Sequence, residues 1–232
     1  MTYYRDIKEL CVFLDLSTYC NAGCPQCDRT NTQGLGKKRW IPNEMWTIDR
    51  VKRAYPLGMD IFRATLCGTW GDPMMVKDID QIIYHFLENG TEVHCNTNGS
   101  MRDTWWWFNL GREMSESETP SKMTFDIEGI NQEMHAKYRR KTDLNKILEN
   151  MEAYTLGGGL AQVHTIVFEH NEKYLREIKA LCKKHGARTI QFQKSNRRFD
   201  HDNNREFRFI NEHGEKDSIR RSTLDINKTL GS

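Results

Sequence analysis

Cys20-Asn21-Ala22-Gly23-Cys24-Pro25-Gln26-Cys27 closely follows an apolar run at 10–16 whose length and content suit a short β-strand. Three thiols within eight residues, on a loop that leaves a strand, form a ligand pattern rather than a packing pattern. Three thiolates can serve three irons of a cluster or three positions around one tetrahedral ion. The single-ion reading needs a fourth ligand, which Cys67, Cys95, His94 or His164 would have to supply, and the loop lacks the paired knuckles of common zinc sites. A 4Fe-4S cluster on three cysteines instead leaves one iron open to an exogenous ligand.

Outward from this loop, short β-branched or apolar runs alternate with helical patterns, the rhythm of βα units around a parallel sheet. Strands are predicted at 10–16, 60–66, 92–96, 122–127, 162–168 and 189–193. Ile79, Ile82, Ile83, Phe86 and Leu87 share one helical face that Gly90 terminates, and Leu144, Ile147, Leu148 and Met151 mark a second helix. Asn171 is expected to cap a third with Leu175, Ile178 and Leu181 inward, stopped by Gly186, and Pro42 and Asn43 to open a fourth before Trp46. Six such units make either a doubly wound sheet or a curved, incompletely closed barrel; periodicity does not choose between them. Both place chemistry at the carboxyl ends of the strands, where the cysteine loop lies.

The chain has 232 residues, 38% of them hydrophobic, with 34 Lys+Arg against 32 Asp+Glu, a net charge of 34 − 32 = +2. That length supports a full core without a staple. The balanced charge argues against a dedicated nucleic-acid or membrane-surface binder, and no apolar stretch approaches the roughly 20 residues of a membrane span. Met1 to Glu9 carry no apolar leader, so the cytoplasm is expected. Seven cysteines without a regular framework fit a reducing compartment, with Cys11, Cys67, Cys95 and Cys182 expected as small buried hydrophobes. Trp105-Trp106-Trp107-Phe108 circles a helix almost completely, so at least one ring must face solvent or an interface.

The cysteine triplet has the C-x3-C-x2-C spacing of the radical S-adenosylmethionine superfamily, which the chain resembles in four further places. Gly68-Thr69-Trp70-Gly71-Asp72-Pro73 is similar to its Gly-Gly-Glu-Pro segment and Asn96-Thr97-Asn98-Gly99-Ser100 to its Thr-Asn-Gly turn. Phe125-Asp126-Ile127-Glu128-Gly129 with Tyr138-Arg139, and then 163–171, resemble the fourth and fifth strand segments of peptide-modifying members. The resemblance implies an α/β fold, a partial (β/α)6 TIM-like barrel over 1–195, with a polar C-terminal extension at 196–232 that is a lid or partly disordered.

It also implies a radical S-adenosylmethionine enzyme. Cys20, Cys24 and Cys27 would hold one 4Fe-4S cluster at which S-adenosylmethionine is reductively cleaved to a 5′-deoxyadenosyl radical that abstracts hydrogen. Gly71 and Asp72 would line the methionine end of the cofactor, with the Trp70 ring beside its amino group, and Arg139 would meet the carboxylate. Asp126, and less directly Asn98, would take the ribose, and Val167 and Gln193 would flank the adenine. Gln26 stands where the family usually has an aromatic residue near the adenine. A reductant such as flavodoxin or ferredoxin is implied, with a peptide, protein or small molecule as substrate. No cysteine follows Cys182, so a single cluster is expected. Cys67 and Cys95, near strand ends, are candidate hydrogen-atom donors. The alternatives are a glycyl-radical enzyme activase, a structural zinc-binding interaction module, and a member that binds the cofactor without turnover.

Overall fold

In the computed structural model, which describes residues 10–195, 197, 199 and 205–226, six short strands pair as neighbours in chain order. They are β1 (Cys11–Asp15), β2 (Arg63–Cys67), β3 (Glu92–Thr97), β4 (Lys122–Asp126), β5 (Ala161–Val167) and β6 (Thr189–Lys194), all parallel. A doubly wound sheet reverses its strand order part-way, so the unbroken sequence from β1 to β6 selects the partial barrel. Among the described residues β6 does not return to β1, and the barrel stays open. Met1 to Glu9, read above as lacking a leader, lie outside the described residues. No helix among the described residues is long and apolar enough to cross a membrane.

Crossovers of one hand, always advancing in one direction, put every helix on the same face of the sheet. The helices are α1 (Ile48–Ala54), α2 (Ile79–Glu88), α3 (Thr104–Glu116), α4 (Gln132–Ala136), α5 (Leu144–Leu156) and α6 (Leu175–Lys184). Strand residues of one parity, among them Ala64, Leu66, Val93, Cys95, Met123, Phe125 and Val163, are buried with the apolar stripes of these helices. Residues of the other parity, among them Thr65, Cys67, His94, Asn96, Thr124, Asp126 and His164, line an uncovered concave cavity. That cavity is the only reason a strand here tolerates alternate polar residues, since a parallel strand covered on both faces is apolar throughout.

Two helix expectations need correction. Pro42 and Asn43 lie in a loop, and α1 begins only at Ile48, with the Thr47 hydroxyl accepting from the Arg50 N–H. The chain before it is held extended, because Ser17 bridges Met45 and the Trp46 N–H donates to the Leu16 carbonyl at 2.8 Å. Asn171 stands at the N-cap of the short turn that leads into α6, but its side chain makes no capping bond there. Its buried amide donates to the Glu128 and Ile166 carbonyls and accepts from the Phe168 N–H, stitching the ends of β4 and β5 together.

The tail is not all polar surface. β7 (Glu206–Ile210) and β8 (Lys216–Arg220) form an antiparallel hairpin whose Phe209 and Ile219, with Phe199, are buried against Ala22, Cys24, Leu35, Tyr138 and Phe168. Its edge bonds directly to the segment after the cysteines, Ile210 exchanging backbone hydrogen bonds with Thr32 and Gly34. Arg140 anchors the other side through Glu212 at 2.7 Å and Asp217 at 2.9 Å.

Of the aromatic run, Trp107 is fully buried between Phe125 and Tyr154, while Trp105 is 70% exposed. Trp107→Ala is therefore expected to cost about 3–5 kcal/mol of stability in a denaturant titration, and Trp105→Ala less than about 0.5 kcal/mol.

Candidate active site

The cavity, of about 660 Å³, runs from the cysteine loop down the concave face of the sheet. Cys20, Cys24 and Cys27 all line it. Tight turns shape their loop: the Cys27 N–H donates to the Cys24 carbonyl at 3.1 Å and the Thr30 N–H to the Cys27 carbonyl at 3.0 Å. Burial pushes the Cys24 thiol up to about 12, against the pull of the Arg139 cation, and raises Cys20 as well. Thiols in such a wall lose their protons to a metal, not to water, and sulfur donors of this kind suit iron–sulfur or zinc chemistry. Among the described residues no three His, Cys, Asp or Glu side chains converge tightly enough for one metal ion.

Gly71 lets the segment after β2 pass this closely. A Cβ there would lie 2.0 Å from the Ser17 carbonyl oxygen and 2.7 Å from that of Tyr19, so only glycine fits against the end of β1. The next residue, Asp72, is buried behind the cavity wall and does not line it. One of its oxygens accepts from the Met74 N–H (2.9 Å) and the Thr97 hydroxyl (2.9 Å), the other from the Asn98 N–H (2.8 Å) and side-chain amide (2.7 Å). Burial raises this carboxyl above its ordinary range in spite of those donors. Both oxygens are thus engaged within the protein.

Asn98 does line the cavity and spans Asp72 and Asn21. Gly99 follows with φ +75° because the turn at the end of β3 folds back onto Phe125, which a Cβ would meet at 2.6 Å.

On the opposite side, Asp126 and Glu128 lie on one side of the chain, as their alternation predicts, and share Arg139 at 2.9 Å each. Burial raises the Glu128 carboxyl against Arg139's pull, while Asp126 and Glu128 hold the guanidinium charged in spite of its own burial. Arg139 also reaches to 3.7 Å from the Cys24 sulfur, so it ties the cysteine loop to the end of β4. Asp126 meets His164 at 3.6 Å, whose other ring nitrogen faces the Gln193 side chain at 3.1 Å, and the Asp126 bond raises the His164 pKa. His164, named above only as a possible fourth ligand to a single ion, shares the parity of Gln162 and Ile166, which places it on the same wall.

Three expected contacts are not on that wall. Val167 faces the helices and is 1% exposed, because the one-residue step from Ile166 reverses the side-chain direction; Ile166 lines the cavity in its place. The Trp70 ring packs edge-on against Trp40 at 5.4 Å, outside the cavity lining. Gln26 is fully buried, donating to the Arg197 carbonyl (2.6 Å) and accepting from the Ser195 hydroxyl (2.7 Å), so it clamps the cysteine loop to the end of β6. Of the scattered cysteines, Cys95 and Cys182 are buried as expected, but Cys11 is exposed and both it and Cys67 line the cavity.

The model of the radical SAM superfamily matches residues 14–182, most of the chain, and the chain belongs to that superfamily. No curated protein sequence matches it. Solved structures share the fold. Streptococcus suis SuiB bound to S-adenosylmethionine aligns over 80% of this chain and 40% of its own, at 11% identity and a TM-score of 0.59. Methylornithine synthase (PylB) aligns over 80% and 53%, at 14% identity and 0.54. Native anSMEcpe with bound AdoMet and Kp18Cys peptide aligns over 80% and 51%, at 13% identity and 0.61. The chain thus spans about half the length of these proteins, or less.

Two measurements test this architecture. Asp72→Ala strands four buried donors and should cost about 3 kcal/mol or more in chemical unfolding. His135, buried beneath Glu128, accepts from the Glu128 N–H and pairs with Thr142, and burial lowers its pKa from about 6.5 to about 3. The unfolded chain therefore takes up a proton that the folded chain refuses, and stability should fall as pH drops from about 6.5 towards 3. His135→Asn should flatten that part of the stability–pH curve.

Proposed function

We propose that Cys20, Cys24 and Cys27 hold one 4Fe-4S cluster, with S-adenosylmethionine beside it in the concave cavity, and that the enzyme abstracts hydrogen from a peptide or protein side chain. When bound, this pair supplies one-electron reductive cleavage of the sulfonium, with the electron coming from a flavodoxin- or ferredoxin-type donor. The observation that carries the reading is the placement of three thiols on one wall of a cavity at the carboxyl ends of six parallel strands.

The chain's own residues then divide the work. Backbone carbonyls near Gly71 receive the cofactor's ammonium, and Asp72 keeps that segment in place without touching it. Arg139, held by Asp126 and Glu128, presents a guanidinium edge towards the cofactor carboxylate and the cysteine wall. Asp126 offers an acceptor to the ribose, with Asn98 on the same lining, and Ile166 and Gln193 flank the adenine. The hairpin of β7 and β8 acts as a brace that packs the cysteine loop from behind. A peptide substrate is supported by the cavity's open side and by two structural relatives, SuiB with precursor peptide SuiA and anSMEcpe with Kp18Cys peptide.

Anaerobic reconstitution with iron and sulfide should give a broad absorbance at about 400 nm. With dithionite and S-adenosylmethionine it should yield 5′-deoxyadenosine and methionine. Cys24→Ala should lose both signals while keeping the fold by circular dichroism. A colourless protein carrying stoichiometric zinc would overturn the reading.

A further inference from the structure

The cavity wall carries far more positive than negative charge. Arg29, Arg63, Lys122, Arg139, Lys194 and Arg197 line it, and Asp126 is its only carboxylate among the described residues. Arg139 is matched by Asp126 and Glu128, and Arg63 by Glu92 at 2.7 Å. Burial, with Lys122 beside it, lowers the His94 pKa in spite of Glu92, so His94 adds no standing charge. Arg29 donates to the Thr18 carbonyl and acts on the Cys20 thiol, so its charge is directed to the cysteine loop, whereas Lys122, Lys194 and Arg197 have no carboxylate partner among the described residues.

The positions of these unmatched cations are informative. Lys122 opens β4 and Lys194 closes β6. The registers Met123↔Ala161 and Val167↔Lys194 put them seven residues apart along β5, roughly 20 Å at the usual strand rise. No single phosphate or carboxylate spans that distance. Even with one cation taken by the cofactor carboxylate, the surplus runs the length of the cavity. On the β1 side the wall also offers an apolar surface, with Phe13 73% exposed into it beside Cys11. A bare aromatic ring on one side and spaced cations on the other fit an extended chain with both apolar and acidic side chains.

We infer that the substrate is an acidic peptide, lying along the concave face with its carboxylates on Lys122 and the cations near the end of β6 and an apolar side chain on Phe13. This deepens the reading above and rests on it for the chemistry, though not for the binding. The probe is a dye-labelled octapeptide alternating glutamate with alanine and leucine, titrated anaerobically into the reconstituted protein with S-adenosylmethionine, with its glutamine and lysine counterparts as controls.

The acidic peptide should bind about tenfold more tightly than the glutamine version, and the lysine version should not bind. Lys122→Gln should weaken the acidic peptide about fivefold, whereas Lys179→Gln, an exposed lysine on α6, should leave it unchanged. Equal affinity for the acidic and glutamine peptides, or equal effects of the two substitutions, would overturn the inference. The same titration without the cluster, and 5′-deoxyadenosine formation without peptide, separate the two readings: loss of cofactor cleavage defeats the first, loss of the acidic preference the second.

Discussion

The Asp72 carboxylate joins three parts of the molecule that the chain keeps far apart. Its four neutral donors come from its own segment and from the end of β3, and its N–H donates to the Tyr19 carbonyl, just before the first cysteine, at 2.7 Å. A buried charge without a cation is costly, and fixed dipoles are the remaining way to hold it. The geometry of the cysteine loop relative to β2 and β3 therefore follows from one side chain's need for partners. Gly71 serves the same contact sterically, since any Cβ would drive the segment off the end of β1.

A second polar centre closes the site from the other side. Arg139 draws together Asp126 at the end of β4, Glu128 beyond it and the sulfur of Cys24. Beneath it, neutral His135 supports the Glu128 backbone, and outside it the hairpin of β7 and β8 covers the same loop with Phe209 and Ile219. The cysteine loop is thus gripped by Asp72 through one neighbour and by Arg139 and Gln26 through others. A loop that sets three thiols on one wall needs such support, because the geometry of a site is only as good as the packing behind it.

Much of this was legible from residues alone. All six strands lie within about three residues of the predicted ends, because apolar periodicity is a local property. The cysteine spacing, Gly71-Asp72 and the Asp126, Glu128 and Arg139 series are local patterns too. Failures arose where a single step or a distant partner decides the outcome. Val167 faces the core because parity, not proximity to a strand end, sets direction, and Pro42 starts no helix because Leu16 claims the Trp46 N–H. Gln26 could not be recognised as a clamp when its partners, Ser195 and Arg197, lie about 170 residues away.

By itself, the sequence determined the alternation of strands and helices, the cysteine triplet and the face on which chemistry belongs, since each depends on residues near one another in the chain. Tertiary structure alone decided that the sheet curves in unbroken order into an open barrel and that Asp72 is a buried hub behind the cavity wall. It alone brought Lys122, Lys194 and Phe13 to one cavity. The physical reason is that strand order and burial are set by packing between segments, and a side chain's role follows from what that packing places beside it.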